Sequence, residues 1–466
     1  MNNVFNFDTI AAISTPFGES GIGIVRLSGK NSIDILKKIF TTSTSEKLKK
    51  IKSHSLHYGF IIDPFTHIEI DEVLVSVMRA PKTYTKEDII EINCHGGWLP
   101  LKKTLELVLQ NGARLATPGE FTKKAFLNGR IDITQAEAVL DIIRSKNEIS
   151  LYNSIKGIKG NLRFLIYEIR DKLININALI ENEISFNDTE EETNASLIKK
   201  KLHKLNTEVE AILNDSFKQS KIINGMKILI LGKANVGKSS LLNFLCNDES
   251  SIISDIPGTT RDIIKEEIII NGYYFTVYDS AGIKIPENDI ERLCIKKTFQ
   301  YINKSDIIIY LIDADRGYEK KDHLILKNIG NENILYVINK CDLKCTLSDC
   351  YKTFINFSNC KSMKWFEISS KTGEGISNLK NELSNIQKNN EKNICEAIML
   401  NERQYSLLKG VHGSIDLALD LLNNNFGFEF VSEKIRDGLI NLDLITGSNI
   451  TEDTMNAIFD NFCVGK

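Results

Sequence analysis

Three hydrophobic rhythms follow one another along the chain. Over residues 1–120, short apolar runs alternate with turn residues. IAAISTPFGESGIGIVRLSG at 10–29 predicts a strand, a glycine-rich turn and a second strand. DEVLVSVM at 71–78 and EDIIEINCHGG at 87–97 predict two more strands, the latter ending in paired glycines. Apolar residues spaced by three and four at 100–111 predict a helix. Arg26 and Glu91 interrupt two of these apolar runs, and a charge held there needs a partner. From residue 121 to about 220 the period lengthens to that of helices, through ITQAEAVLDIIRSKNEI, LRFLIYEIRDKLININALIENEI and LIKKKLHKLNTEVEAIL, with the acidic NDTEEET between the last two. Such stripes ordinarily form the core of a bundle. Residues 226–380 alternate strand and helix, the pattern of a parallel sheet, with strands predicted at 268–270, 273–278, 307–312, 334–338 and 365–368. Beyond 389 the helical period returns, clearest at 404–423 and 431–446. Helices on both sides of one α/β stretch predict a helical domain interrupted by an insertion.

The inserted stretch carries the most specific chemistry. MKILILGKANVGKSSLL at 226–242 is a strand, a loop of the form G-x-x-x-x-G-K-[ST] and a helix start. Gly232 and Gly237 let the backbone fold around a phosphate and aim N–H groups at it. Lys238 would reach the outer phosphates and Ser239 a magnesium ion, at the positive end of the helix. Asp279-Ser280-Ala281-Gly282 ends a strand, where a carboxylate holds magnesium's water and a glycine N–H meets the γ-phosphate. In Asn339-Lys340-Cys341-Asp342 the aspartate can accept from guanine N1–H and the exocyclic amine, a pair that adenine lacks. Ser369-Ser370-Lys371 would close over the base. Gly258-Thr259-Thr260-Arg261-Asp262 offers hydroxyls to the metal and a loop able to order around the γ-phosphate. In this order the motifs predict a GTPase.

Its catalytic arrangement departs from the Ras type. Where a glutamine would orient the attacking water stands Ile283, which cannot hydrogen-bond through its side chain. Asn235, with carbonyls of the following switch loop, is placed to hold a monovalent cation between the phosphates, doing the work of an arginine finger. Glu291, in the charged run NDIERL, is either a water-orienting carboxylate or an ordinary surface one.

Composition adds limits. A chain of 466 residues has room for two to four domains. A net charge of −3 excludes a polycation that coats nucleic acid, so RNA contact needs a local basic patch or a partner. No apolar run is long enough to span a membrane and MNNVFNFDT lacks a secretory pattern, which predicts a soluble cytoplasmic protein. Cys341, Cys345, Cys350 and Cys360 cluster without a C-x-x-C pair or a nearby histidine, so neither a zinc site nor a disulfide framework is expected.

DTIAAISTPFGESGIGIVRLSG, INCHGG, PGEFTKKAFLNGRIDITQAEAV, GKANVGKSS, DIPGTTRD, DSAG, NKCD and the terminal FCVGK together resemble the MnmE (TrmE) family of bacterial tRNA-modification GTPases, nearly end to end. The resemblance implies an α/β fold with α and α+β parts. A β-rich tetrahydrofolate-binding and dimerising domain would span 1–120. A helical domain at 121–222 and 383–466 would be interrupted by a Ras-like P-loop G domain at 223–382. It implies a homodimer and a partner, MnmG (GidA), which carries FAD and uses NADH; together they add an aminomethyl or carboxymethylaminomethyl group to carbon 5 of the wobble uridine of tRNA. GTP, magnesium, potassium and a formyl- or methylene-tetrahydrofolate are the implied cofactors.

Carried onto this sequence, the family's nucleotide contacts fall on Asn235, Val236, Gly237, Lys238, Ser239 and Ser240, then Ser254, Asp255, Ile256, Pro257, Gly258, Thr259 and Thr260. They continue at Asp279, Ser280, Ala281 and Gly282, at Asn339, Lys340 and Asp342, and at Ser369, Ser370 and Lys371. Ser239 and Thr260 match the magnesium ligands; Asn235, Ser254, Ile256 (through its carbonyl) and Thr259 match the potassium ligands. Glu291 takes the place of the water-orienting glutamate, Lys238 contacts the phosphates, and Cys463 matches a terminal cysteine needed for tRNA modification, its chemical role open. Arg26, Glu91, Arg130 and Lys466 match the folate site, with Arg130 replacing a usual lysine. The rival reading is a ribosome-assembly GTPase acting as a regulated RNA-binding switch. Such proteins append a basic RNA-binding domain, which neither the short tail nor the N-terminal region resembles.

Overall fold

The structure is a computed structural model that describes residues 8–16, 18–42, 52–145, 147–185, 193–223, 225–233, 235–246, 265–279, 301–302, 305–317, 322, 326, 333–343, 364–391 and 398–465. It divides into two compact units: Met1–Arg144 with Ser154–Glu210 and Glu402–Lys466, and Ser145–Asn153 with Ala211–Asn401.

In the first unit a seven-stranded sheet runs in the order β3-β4-β5-β6-β2-β1-β7. The strands are β1 (Ile10–Ile13), β2 (Gly23–Ser28), β3 (Phe40–Thr42), β4 (Ser55–Ile62), β5 (Glu69–Met78), β6 (Ile89–Cys94) and β7 (Arg114–Leu115). All pairs are antiparallel except β1 with β7. Strand alternation sends Val25, Leu27, Ile90 and Ile92 to one face, where they pack with Leu36 and Ile39 of α1 (Ser32–Ile39) and Leu101, Leu107 and Val108 of α2 (Trp98–Gln110). The same alternation turns Arg26 and Glu91 to the opposite face, directly across the β2–β6 ladder from each other. Helix α1 is absent from the sequence prediction; at eight residues it is too short to show a repeated period.

Besides α1 and α2, the described helices of this unit include α3 (Glu120–Leu127), α4 (Ile133–Arg144), α6 (Asn161–Ser185), α10 (Glu402–Asn423), α11 (Phe428–Thr446) and α12 (Glu452–Phe459). α5 (Glu148–Ile158) and α7 (Thr193–Ile223) each run across the division between the units. Buried Leu408, Val411 and Ile415 of α10 and Ile435 and Leu442 of α11 follow the helical spacing. Residues widely separated in sequence meet at Glu137, which is buried and accepts from Arg403 Nε (2.7 Å), Arg403 Nη2 (2.8 Å) and Gln404 Nε2 (2.6 Å). Such a fork of donors offsets the cost of enclosing a carboxylate. Finally α12 returns the chain to α3, where Met455, Phe459 and Phe462 pack with Ala125 and Ile133. Gly119, at φ +65°, has Phe459 O only 2.6 Å from where a Cβ would stand, so the close approach of the two segments requires glycine there.

The second unit holds a six-stranded sheet in the order β13-β12-β11-β8-β10-β9. Its strands are β8 (Met226–Gly232), β9 (Lys265–Ile270), β10 (Tyr273–Asp279), β11 (Ile307–Asp313), β12 (Ile334–Asn339) and β13 (Trp365–Glu367), with α8 (Lys238–Cys246) and α9 (Ile376–Glu391). Each residue of β11 is buried, as a central parallel strand covered on both faces demands. One strand corrects the parallel expectation: β9 pairs antiparallel with β10. The joining Asn271-Gly272 has φ of +51° and +84°, the geometry of a tight hairpin turn.

Candidate functional site

The phosphate loop follows from where β8 stops. Gly232 has φ +151°, and Leu311 O lies 2.6 Å from where its Cβ would be, so a side chain would collide with the neighbouring strand. Asn235 stands exposed at φ +66°, while Val236 is buried and anchors the loop from below. Gly237 turns at φ +96°, with Asn339 Nδ2 2.2 Å from its Cβ position. α8 then starts at Lys238, which sets the positive end of its dipole at the loop. The Lys238 ammonium donates to Gly232 O (2.9 Å) and Lys233 O (2.7 Å), held across the loop by carbonyls of the loop itself. Ser239 and Ser240 are exposed beside it.

Buried Asn339 joins this loop to the predicted base loop. Its Nδ2 donates to Val236 O (2.7 Å) and Ser370 Oγ (3.0 Å), and its Oδ1 accepts from Ser370 N (2.9 Å). Asp342 is exposed and accepts from Ser369 Oγ at 2.8 Å, which leaves acceptor capacity on its carboxylate. Lys340, at φ +69°, pairs with Asp313 Oδ2 at 2.6 Å. Burial pushes the Asp313 carboxyl up, but the Lys340 hydrogen bond, the Asp315 N–H and nearby cations outweigh it and hold the carboxyl below its ordinary value. Lys371 lies exposed beyond Ser370. Sequence reasoning missed two braces. One is Lys340–Asp313; the other is buried Asp322, which takes Lys233 of the loop at 2.6 Å and the Tyr310 hydroxyl at 2.7 Å. Nothing in the spacing of these residues marks either contact.

A second constellation forms on the first unit's sheet. Arg26 Nε and Glu91 Oε1 meet at 2.8 Å, so the two charges that interrupt apolar strands serve each other. Arg26 Nη1 also donates to Gly465 O at 2.9 Å, and Ser14 Oγ to the same oxygen at 3.2 Å. Gly465 sits at φ +92° with Ile13 O 2.6 Å from its Cβ position, so only glycine brings the chain's end this close to β1. Cys463 is exposed, and its carbonyl accepts from Gly119 N at 3.4 Å. The Arg26 guanidinium lies 5.8 Å over the Phe121 ring, and that of Arg130 4.7 Å over the Tyr84 ring, whose hydroxyl bonds to Thr122 Oγ1 at 2.9 Å. Arg26, Glu91 and Gly465 therefore meet directly, while Arg130 stands on Tyr84, which packs on the cluster containing Phe121; Phe121 and Tyr84 carry no signal in the sequence pattern.

Several expected residues lie outside the described ones: Ser254, Asp255, Ile256, Pro257, Gly258, Thr259, Thr260, Ser280, Ala281, Gly282, Glu291 and Lys466. Asp279 ends β10 beside Ile230, its side chain likewise outside the description. Among the described residues no cluster of three or more histidine, cysteine, aspartate or glutamate side chains is arranged for a metal, and no helix is long and apolar enough to cross a membrane.

Comparison with known proteins bears on both constellations. The family model described as GTP-binding protein TrmE N-terminus matches residues 9–130, and that of the MnmE helical domain matches residues 133–463. The tRNA modification GTPase MnmE of Acetivibrio thermocellus is 42% identical over 466 residues, 99% of this chain and 100% of that one. That of Carboxydothermus hydrogenoformans is 41% identical over 470 residues, covering 98% and 99%. Among solved structures, Era of Aquifex aeolicus bound to GDP·AlF4− shares 25% identity over 41% of this chain and 67% of that one, at a TM-score of 0.28, too low to bear on the fold. By family models over both constellations and full-length relatives above 40% identity, the chain belongs to the MnmE family of tRNA modification GTPases.

Proposed function

We propose that this chain is a potassium-dependent GTPase which, with an FAD-carrying partner of the MnmG type, installs an aminomethyl or carboxymethylaminomethyl group on carbon 5 of the tRNA wobble uridine. In this reading the protein works in the cytoplasm as a homodimer, with the G domain at 223–382 inserted between helical parts at 121–222 and 383–466, behind a folate-binding domain at 1–120. GTP binds between the phosphate loop and the base loop, with Asp342 reading guanine and Asn339 fixing the spacing of the two loops. Ser239 and Thr260 hold magnesium. Asn235, Ser254, Thr259 and the Ile256 carbonyl would hold potassium, whose chemistry there would be to supply positive charge where charge develops in the transition state. Glu291 orients the water. Arg26, Glu91, Arg130 and Lys466 hold a reduced folate that carries the one-carbon unit.

The observation that carries this reading is the seating of the chain's end on the Arg26–Glu91 pair, through Gly465 O at 2.9 Å from Arg26 Nη1. A pterin ring presents both donors and acceptors along its edge, and this site offers a guanidinium, a carboxylate and a carbonyl side by side. Exposed Cys463 stands two residues before Gly465 in the chain. Cys463→Ser should therefore abolish tRNA modification in the complete assay with the partner, folate and GTP, while GTP hydrolysis stays within about twofold of wild type, as for surface changes remote from a site. Loss of both activities would show that the terminal cysteine acts through the fold; retention of both would remove it from the chemistry.

A further inference from the structure

Beyond the folate contacts just proposed, the first unit has an open cleft of about 390 Å³ on the far side of Arg130. That is within the range of small-molecule sites, about 300–1,000 Å³. Its charge is of one sign. Lys82, Lys86 and Arg130 line it, and no carboxylate occurs among its described lining residues. Tyr84 forms the wall shared with the constellation above: it packs on the cluster containing Phe121, over which Arg26 lies, and its own ring carries Arg130. Between Arg26 and the cleft the partly exposed ring is Tyr84, with fully buried Phe121 behind it, and the cleft itself carries three cations.

The cations are differently placed. Lys86 stands at φ +57° and donates to Asn128 O (3.0 Å) and Gly129 O (3.1 Å), which fixes its ammonium beyond the C-terminus of α3. An ammonium has three donors, so one remains for a ligand. Arg130 is exposed, its guanidinium 4.7 Å over the Tyr84 ring, and a guanidinium can fork to a carboxylate. Lys82 is exposed at the rim, next to the buried Thr83.

We propose that this cleft is a subsite for the γ-linked polyglutamyl tail of the folate; the inference rests on the folate reading above. With the pterin at the Arg26–Glu91 end, the p-aminobenzoyl linker passes the partly exposed Tyr84 and the glutamyl end emerges at Arg130. Each added γ-glutamyl residue contributes one α-carboxylate, and a row of carboxylates matches a cleft with cations and no acid. The chain accordingly prefers long-tailed folates over the monoglutamate.

The test compares binding of 5-formyltetrahydrofolate monoglutamate and triglutamate to the full-length protein by calorimetry, at low and high salt, in wild type and in Lys82→Glu. Screened surface contacts of this kind give a few-fold each, so the triglutamate should bind about tenfold more tightly to the wild type, a preference that shrinks in high salt. In Lys82→Glu the ratio of the two affinities should fall close to one. Equal affinities in the wild type, with the monoglutamate still lost in Arg26→Ala, would overturn the tail subsite alone. Binding of neither ligand to the wild type would overturn the folate reading and the subsite together. An unchanged ratio in Lys82→Glu accompanied by weakened tRNA binding would assign the cleft to nucleic-acid phosphates and overturn the proposal.

Discussion

Lys238→Ala should lower kcat/KM for GTP by about 10²–10³-fold, the loss that follows removal of one preorganised donor from a developing oxyanion. In the structure its ammonium rests on Gly232 O and Lys233 O, two carbonyls of the loop it would close around phosphate. Those contacts cost little to exchange, because they lie at a loop mouth where water can replace them. A phosphate offers the ammonium a full negative charge instead, so the side chain is stabilised most strongly when nucleotide is present. Steady-state hydrolysis with a thermal melt of the free protein checks this. A large rate loss with an unchanged melt places Lys238 in the chemistry, whereas a matching loss of stability would make it a structural strut.

Asp342→Asn should weaken GTP binding by about 10²–10³-fold and turn preference toward xanthosine triphosphate. Guanine presents two donors, N1–H and the exocyclic amine, to one carboxylate. Losing part of such a charge-assisted pair costs about 3–4 kcal/mol. Xanthine has a carbonyl in place of the amine, which an asparagine N–H can meet. The substitution is clean because the brace survives it: Ser369 Oγ donates to Asp342 Oδ1 at 2.8 Å, and an asparagine oxygen accepts equally well. Competition of each nucleotide against a fluorescent analogue reads the switch. Parallel losses for both nucleotides would mean that Asp342 holds the loop rather than reading the base.

The parts of the fold legible in sequence were those with a repeated local signal. β8, β10, β11 and β12 fall on their apolar runs, and the long helices α10 and α11 cover the stretches with helical spacing. The charges at Arg26 and Glu91 marked themselves by interrupting apolar strands, and the β2–β6 register explains how both are accommodated. What escaped was non-local or short. The antiparallel β9 turned on Asn271-Gly272, a two-residue signal inside an otherwise parallel pattern. Phe121 and Tyr84 carried no signal of their own, since only the folded chain sets them under Arg26 and Arg130. The tether of Lys233 to Asp322 joins residues whose spacing follows no period. The phosphate-loop motif was legible for the opposite reason: its geometry is made within a few consecutive residues, with glycine at Gly232 and Gly237 where a Cβ would collide. The rival assignment, a ribosome-assembly switch, loses its basis because the two family models span residues 9–130 and 133–463 of this chain.

The most direct test of the proposed mechanism is GTP hydrolysis by the purified protein in potassium and in sodium at equal ionic strength, with magnesium present in both. A cation seated between the phosphates by Asn235 and the switch loop would raise the rate in potassium by about tenfold or more, in line with the worth of one positive group at a developing charge. Equal rates in the two salts would contradict the cation mechanism, and with it the assignment of Asn235 as a ligand that replaces the arginine finger.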